Sequence, residues 1–434
     1  MSRKKINRGL ILGFIAYGTD AIVSTMLFPL LIKYMGKSEA GVWMLYSSLG
    51  AMFACLLAGS GPVVARATAM ALGEIGLQGG KALAQVRVQG QRLYGQIMSV
   101  IALAGLVAAL FYLPNVATES GLSRSWVLVG WAAFMLGWSA RAIAGLRFSH
   151  LDGVGEIGYN RALGSVAGIC NIAVLWLILP HGLGIMAPAA VYAVVALGLM
   201  GAAGVLCRKK MPPAFWGVPT AVSDGPMLKD SLKMLVLSFT TYVTTQSCIV
   251  LVERSEGTAT LATFAPVVRL AVLIAGAASL PATMLFPYLS RLYTEGDHTR
   301  YRRLCLVVMF VPPALFFLPG LALVLFPAQI IGTWLGAENY VGDATVRLIV
   351  LYGFLFTLHS AFATPAVAIR ARTFVRESLL NMALVACLMP LLASYYGVAG
   401  YPLGMLLGTI VPSMMVLYQS VKVLRFGLEP SPPI

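Results

Sequence analysis

Six ionisable side chains stand where charge is expensive. Asp20, Arg66, Arg141, Arg269, Arg347 and His359 all fall within long apolar runs. An ionised group at mid-bilayer costs about 2.5–3.5 kcal/mol on insertion scales, and it ordinarily faces a partner or an aqueous cavity. Four arginines against one aspartate leave these runs with a surplus of positive charge. Asp20, Arg269 and His359 lie near the middle of their runs, and Arg141 lies toward one end. Arg66 and Arg347 sit nearer the ends, where snorkelling to the headgroups is the plain alternative. For Asp20 and Arg269 the plain alternative is a structural ion pair, and for His359 it is a satisfied packing histidine.

Uncharged polar groups accompany them. Gly13, Tyr17, Asp20 and Ser24 recur at helical spacing and form one small or polar stripe. Between Ser238 and Ser247, eight of ten residues are polar. Ser and Thr hydroxyls can bond back to their own helix, but Tyr242 and Gln246 are not satisfied so simply. They stand one turn apart and are expected to face the same cavity. The candidate ligand-contacting residues are therefore Arg269, Arg141, Arg66, Tyr17, Tyr242 and Gln246. The candidate coupling or gating residues are Asp20, His359 and Arg347. The six cysteines show no CxxC or metal-type spacing and read as reduced packing residues. No metal and no bound cofactor is expected.

The elements that must position these groups are membrane helices. Of 434 residues, 59% are hydrophobic and only 11% charged, and mean hydropathy is +0.84. Soluble domains carry about 25% charged residues, so most of this surface must face lipid. A helix needs roughly 20 apolar residues to cross a bilayer, and such stretches recur about a dozen times. They are continuous rather than alternating, which excludes a barrel. The expected fold is all-α, with spans at 9–32, 41–72, 93–113, 125–147, 160–179, 183–206, 232–252, 258–289, 304–326, 342–369, 378–396 and 400–422. The first run is too long for a signal-peptide core and lacks a small-residue cleavage pattern, so it reads as an uncleaved span.

This count sorts the cations. Of 31 Lys and Arg, 23 fall on the side of the N-terminus, four on the other side and four within spans. The asymmetry places both termini in the cytoplasm. It also explains the net charge of +15 without nucleic acid. Asp152, Glu156, Asp224, Asp230, Glu295 and Asp297 stand singly among basic residues and read as solvated loop charges. The connections on the far side are short, the longest lying near 327–341. The connection at 207–231 is polar and carries Pro212, Pro213, Pro219 and Pro226. It divides the chain into an N-terminal six-helix lobe (1–206) and a C-terminal six-helix lobe (232–434) around a central cavity. The segment at 37–49 is weakly similar to that at 258–270, and each follows the first span of its half. An even number of spans per half implies parallel repeats. Pro29, Gly59–Pro62, Pro266, Pro281, Pro287, Pro312, Pro313, Pro365 and Pro402 are candidate points of bending.

Three segments carry a family likeness. GLILGFIAYGTDAIVSTMLFPLLIKYMGKSEAGVWMLYSSLG (9–50) resembles the first two helices of Wzx-type polysaccharide flippases. LPATMLFPYLSRLYTEGDHTRYRRL (280–304) resembles their eighth helix and following cytoplasmic loop. YYGVAGYPLGMLLGTIV (395–411) resembles their turn between the last two helices. The family belongs to a superfamily with multidrug extruders and lipid II flippases. The resemblance implies two six-helix lobes around a cavity. It also implies transfer of an undecaprenyl-pyrophosphate-linked oligosaccharide (an O-antigen, capsule or exopolysaccharide unit, in the lipopolysaccharide case) to the outer leaflet of a bacterial inner membrane. The partners it implies are the lipid-linked substrate, the bilayer, a polysaccharide polymerase and chain-length machinery. Related members keep cavity arginines, and Arg269 lies where the eighth helix would contribute one. Where many relatives carry an Asp late in the seventh helix, this chain reads Cys-Ile-Val-Leu-Val-Glu-Arg at 248–254.

On this reading Arg141 and Arg66 attract the pyrophosphate, Arg269 holds it at mid-depth, and sugars touch Tyr17, Tyr242 and Gln246. Asp20 either pairs with Arg269 in the empty state or carries a coupling proton or sodium ion, two roles the sequence leaves open. One rival is a cation-coupled exporter of drugs or metabolites, against which the net positive interior argues. Another is a membrane polysaccharide polymerase, against which the short external loops argue. No enzyme activity is expected.

Overall fold

The computed structural model describes residues 3–73, 81–219, 225–294, 297–368 and 374–426, and the side chains of Gly13, Asp20 and Ser24 lie outside the described set. Within it every regular element is helical. In chain order these are α1 (Arg3–Ala58), α2 (Ser60–Gly73), α3 (Lys81–Val107), α4 (Leu113–Glu119), α5 (Arg124–Gly153), α6 (Ile157–Ile178) and α7 (Met186–Lys210). They are followed by α8 (Gly225–Thr294), α9 (His298–Leu325), α10 (Pro327–Leu335), α11 (Asp343–Ala368), α12 (Val375–Tyr396) and α13 (Gly400–Phe426). Nine segments of the described residues are long and apolar enough to cross a bilayer. Three of them, Ile15–Leu72, Leu235–Thr283 and Val375–Lys422, each hold two of the expected spans. The twelve expected crossings are thereby accounted for.

Large apolar side chains turned outward support a lipid-facing surface: Phe111, Leu318 and Tyr418 are each more than 70% exposed. In water such a surface would aggregate.

The expected weak repeat has a backbone counterpart. Gly36 interrupts α1 at φ 78°, ψ 172°, and Gly257 interrupts α8 at φ 80°, ψ 172°. That region is essentially closed to residues with a Cβ. The two glycines immediately precede the two similar segments. The later elements repeat in the same order: a long helix, a short one (α4, α10), two more long helices, a 3-10 turn (Leu179–His181, Gly397–Ala399) and a last helix. The short helices α4 and α10 occupy stretches that the sequence reads as plain connections.

Most of the candidate points of bending lie within continuous helices. α1, α9 and α11 run on through Pro29, through Pro312 and Pro313, and through Pro365. Pro266, Pro281 and Pro287 lie inside α8, whose non-helical residue is Gly257, and the step from α1 to α2 falls at Gly59, within the Gly59–Pro62 group.

Contacts divide the chain into two compact units, Met1–Phe239 with Gly257–Ala262, and Thr240–Glu256 with Thr263–Ile434. The first unit is held by an aromatic cluster on α1, α5 and α7. Trp131 stacks on Phe134 at 5.6 Å, Phe134 stacks on Tyr192 at 5.4 Å, and Tyr46 meets Trp131 edge-on at 5.1 Å. Three of the polar tips in this region find backbone carbonyls, as buried Tyr and Trp require. Tyr46 Oη donates to Val127 O (2.5 Å), Trp131 Nε1 to Gly105 O (3.0 Å) and Trp138 Nε1 to Gly50 O (3.0 Å). The connection after α7 is not a free tether at its start. Residues 213–216 form a 3-10 turn whose Phe215 is buried in the same core as Leu83, Leu93 and Leu151.

The second unit uses Phe316 and two tyrosines. Tyr301 Oη donates to Pro365 O (3.0 Å), and Tyr352 Oη donates to Thr244 O (2.5 Å). α12 and α13 approach closely along Gly400, Gly404 and Gly408. A Cβ on Gly404 would lie 2.6 Å from the Met389 backbone, and one on Gly408 would lie 2.8 Å from Val385. The four-residue spacing is that of small-residue membrane interfaces. It is legible in the sequence, although charge and polarity do not single it out.

Candidate functional site

In the first unit, Arg141 is exposed on α5, well inside an apolar helix, and it forms no ion pair among the described residues. Arg66 is exposed on α2. Its neighbours fix its level. Thr68 Oγ1 bonds His150 Nδ1 at 2.9 Å, and a Cβ on Gly153 would meet Ala65 O at 2.6 Å. Arg66 therefore lies beside the C-terminal end of α5. Nine residues separate His150 from Arg141, about 13 Å of helix at 1.5 Å per residue. The two arginines form successive rungs rather than one cluster. Tyr17 is half-buried on α1. The Asp20 side chain lies outside the described residues, and so does any pairing with Arg269.

In the second unit, Arg269 is exposed on α8. Its neighbour Val268 lines an apolar crevice with Ala271, Tyr352 and Met405. The polar run at 238–247 behaves as membrane hydroxyls do. Thr244, Thr245 and Ser247 donate to the carbonyls of Thr240, Thr241 and Val243. Tyr242 is 6% exposed and Gln246 half-buried, so the helix sinks the tyrosine and leaves the amide nearer the surface.

Arg347 has a structural occupation. Its guanidinium pairs with Asp343 at 2.8 Å, and Nε donates to Val324 O at 3.1 Å. It thereby ties the start of α11 to the last turn of α9. His359 Nδ1 lies 3.1 Å from Ser413 Oγ, joining α11 to α13.

His359 has polar company that the sequence did not single out. Glu377, read as part of a cytoplasmic loop, is 6% exposed on α12, and Gln419 Nε2 donates to its Oε1 at 2.5 Å. One turn on, Asn381 Oδ1 accepts from Thr409 Oγ1 at 3.1 Å. Glu377 and Asn381 lie at i and i+4, so their spacing was the available signal. Glu253 is also buried, at 1% exposed. Two acids that the sequence did not single out, Glu377 and Glu253, are therefore buried among the described residues. A cavity of about 270 Å³ follows in the same unit, lined by Ser279, Thr283, Ser360, Thr364, Phe286 and Pro312. No group of three or more His, Cys, Asp or Glu among the described residues could hold a metal ion.

No family model and no curated protein matches the chain. Solved structures do. The lipid II flippase MurJ in an inward closed conformation superposes with a TM-score of 0.71 at 14% identity, covering 95% of this chain and 87% of that one. The chain has the fold of that flippase and of MATE transporters. The MATE multidrug transporter DinF-BH gives a TM-score of 0.69 at 14% identity, covering 99% and 98%. A point mutant of the Vibrio cholerae MATE transporter VcmN gives 0.67 at 16% identity, covering 97% of each chain. Likeness at this identity concerns the fold, and the residues named above are this chain's own.

Proposed function

We propose that the protein is a flippase for a lipid-linked oligosaccharide, moving an undecaprenyl-pyrophosphate-borne glycan from the cytoplasmic to the outer leaflet of a bacterial inner membrane by alternating access. The observation that carries this reading is Arg141: a guanidinium inside an apolar helix, accessible, and without an ion pair among the described residues. Lipid is a poor neighbour for such a group, and a diphosphate is a good one because charge-assisted, bidentate hydrogen bonds to it are strong. Arg66 and Arg269 extend the cationic character in depth. Tyr17 and Gln246, both half-buried, supply amphipathic and amide contacts suited to sugars, whereas Tyr242 is buried. Asp20, His359 and the buried Glu377 supply groups that can exchange a proton or hold a sodium ion. Support from fold comes from the lipid II flippase neighbour.

The test is complementation of a strain lacking its own oligosaccharide-lipid flippase, with membrane expression checked. Wild type restores surface glycan, Arg269→Lys retains part of the activity, and Arg141→Ala and Arg269→Ala lose it. Full activity in Arg141→Ala removes the supporting observation. The MATE neighbours favour a second reading, export of a small organic compound. A drug-susceptibility panel in the same strains separates the two.

A further inference from the structure

The first unit contains a second cationic feature that the proposed pathway does not use. A cavity of about 630 Å³ opens among α3, α5, α7 and the 3-10 turn at 213–216, within the range of small-molecule sites. Each helix brings a cation at one end of the cavity and small or apolar residues further along. α3 contributes Arg87, then Gly95 and Met98, and α5 contributes Arg147, then Ile143. α7 contributes Arg208, then Gly204, Val205 and Gly201. Among the described residues, none that lines the cavity is acidic.

The rim is charged and under-satisfied. Among the described residues Arg87, Arg147 and Arg208 form no salt bridge. Arg87 reaches only Gly217 O, at 3.3 Å, and its Nε is buried with no partner. Arg147 Nη1 donates to Met200 O at 2.5 Å, leaving the rest of the guanidinium available. His150 is 3% exposed, and its Nε2 has no hydrogen-bond partner. Phe215 and Trp216 lie 5.9 and 5.8 Å from the Arg87 guanidinium and fix its plane.

The floor is open. A Cβ on Gly95 or Gly201 would meet nothing within 4 Å. Ile143 and Val205 are 40% and 54% exposed, so the apolar side of the groove continues onto the outward-facing surface. From Arg208 to Gly201 the groove descends about 10 Å along α7.

We infer that this cavity binds an anionic glycerophospholipid, with the headgroup phosphate between Arg87, Arg147 and Arg208 and an acyl chain along Gly95, Gly201 and Val205. A free phosphoester would satisfy the rim but leave the apolar floor unfilled, and a zwitterionic lipid would bring its own cation to a site whose described lining holds no carboxylate. The charge distribution puts this end of the unit on the cytoplasmic side, where anionic lipids meet basic pockets between membrane helices. The inference is independent of what the protein carries.

The test is lipid titration of the purified full chain in detergent, read by native mass spectrometry and by thermal stabilisation. The probes are phosphatidylglycerol, phosphatidylcholine and sn-glycerol 3-phosphate. Phosphatidylglycerol is expected to bind and stabilise, and the other two are not. Neutralising one rim arginine is expected to weaken binding about fivefold, and the double variant Arg147→Gln/Arg208→Gln about 25-fold. Gly201→Leu, which fills the floor and leaves every charge in place, is expected to abolish lipid retention. Arg92→Gln, the same charge change on α3 outside the cavity, is expected to leave it unaltered. Should the double variant fail to fold, Gly201→Leu decides alone. Equal binding in Gly201→Leu, equal binding of phosphatidylcholine, or saturation by sn-glycerol 3-phosphate overturns the inference.

Discussion

Gly257 and Gly36 hold the backbone in a region that other residues avoid, and the cost of adding one methyl group can be worked out from their surroundings. A Cβ at either position would meet no atom within 4 Å. Gly→Ala there creates no clash, so the whole penalty is conformational. Occupying this region without glycine costs about 1–3 kcal/mol. Gly145 in α5 and Gly198 in α7 also have nothing within 4 Å of a Cβ, but their backbone is helical. Alanine there gains about 0.5–1 kcal/mol. One chemical change thus carries opposite signs at two pairs of sites. Thermal unfolding of each variant in the same detergent, followed by tryptophan fluorescence, reads the sign directly. Gly36→Ala and Gly257→Ala should lower Tm, and Gly145→Ala and Gly198→Ala should hold or raise it. Four shifts of one sign would refute the conformational reasoning and the repeat it supports.

Two further predictions concern packing. Gly404→Ala places a methyl group 2.6 Å from the Met389 backbone, and overpacking of this kind should cost about 1–3 kcal/mol in unfolding experiments. Trp138→Phe removes the donor to Gly50 O while keeping most of the ring contact with Phe53. The loss should be about 1 kcal/mol, measured by the same unfolding assay against Trp126→Phe on the exposed surface.

The membrane architecture was legible because hydropathy and cation placement are properties of whole segments. Twelve apolar runs survive errors of a few residues at their ends. The repeat was visible only as a faint likeness at 37–49 and 258–270, because the feature the two halves share is a backbone conformation at the glycine before each segment. The helices run on through most of the candidate prolines for a physical reason: a carbonyl left without its donor in a membrane helix can be satisfied by neighbouring helices and hydroxyls. Among candidate site residues, depth in a run singled out Arg141 and Arg269, whose side chains are both exposed. It could not separate Arg347, whose partner Asp343 stands one turn away at the helix start. Glu377 was hidden by its basic neighbours Arg370, Arg372 and Arg376, which make the segment read as a loop. Its burial depends on Gln419, 42 positions along the chain. The lipid cavity escaped notice because Arg87, Arg147 and Arg208 are distant in sequence and each alone is a topology signal.

On the proposed function, an exposed, cationic pathway carries a phosphate-bearing lipid. The most direct measurement is transfer of a labelled undecaprenyl-diphosphate glycan across proteoliposomes containing the pure protein, scored by accessibility to an impermeant glycan-binding probe. Losing a charged hydrogen bond worth about 1.5–3 kcal/mol should slow transfer in Arg141→Ala by roughly 10- to 150-fold. Transfer by wild type, with that loss in Arg141→Ala, is the result the account predicts. Absence of transfer by wild type, or an undiminished rate in Arg141→Ala, would contradict it.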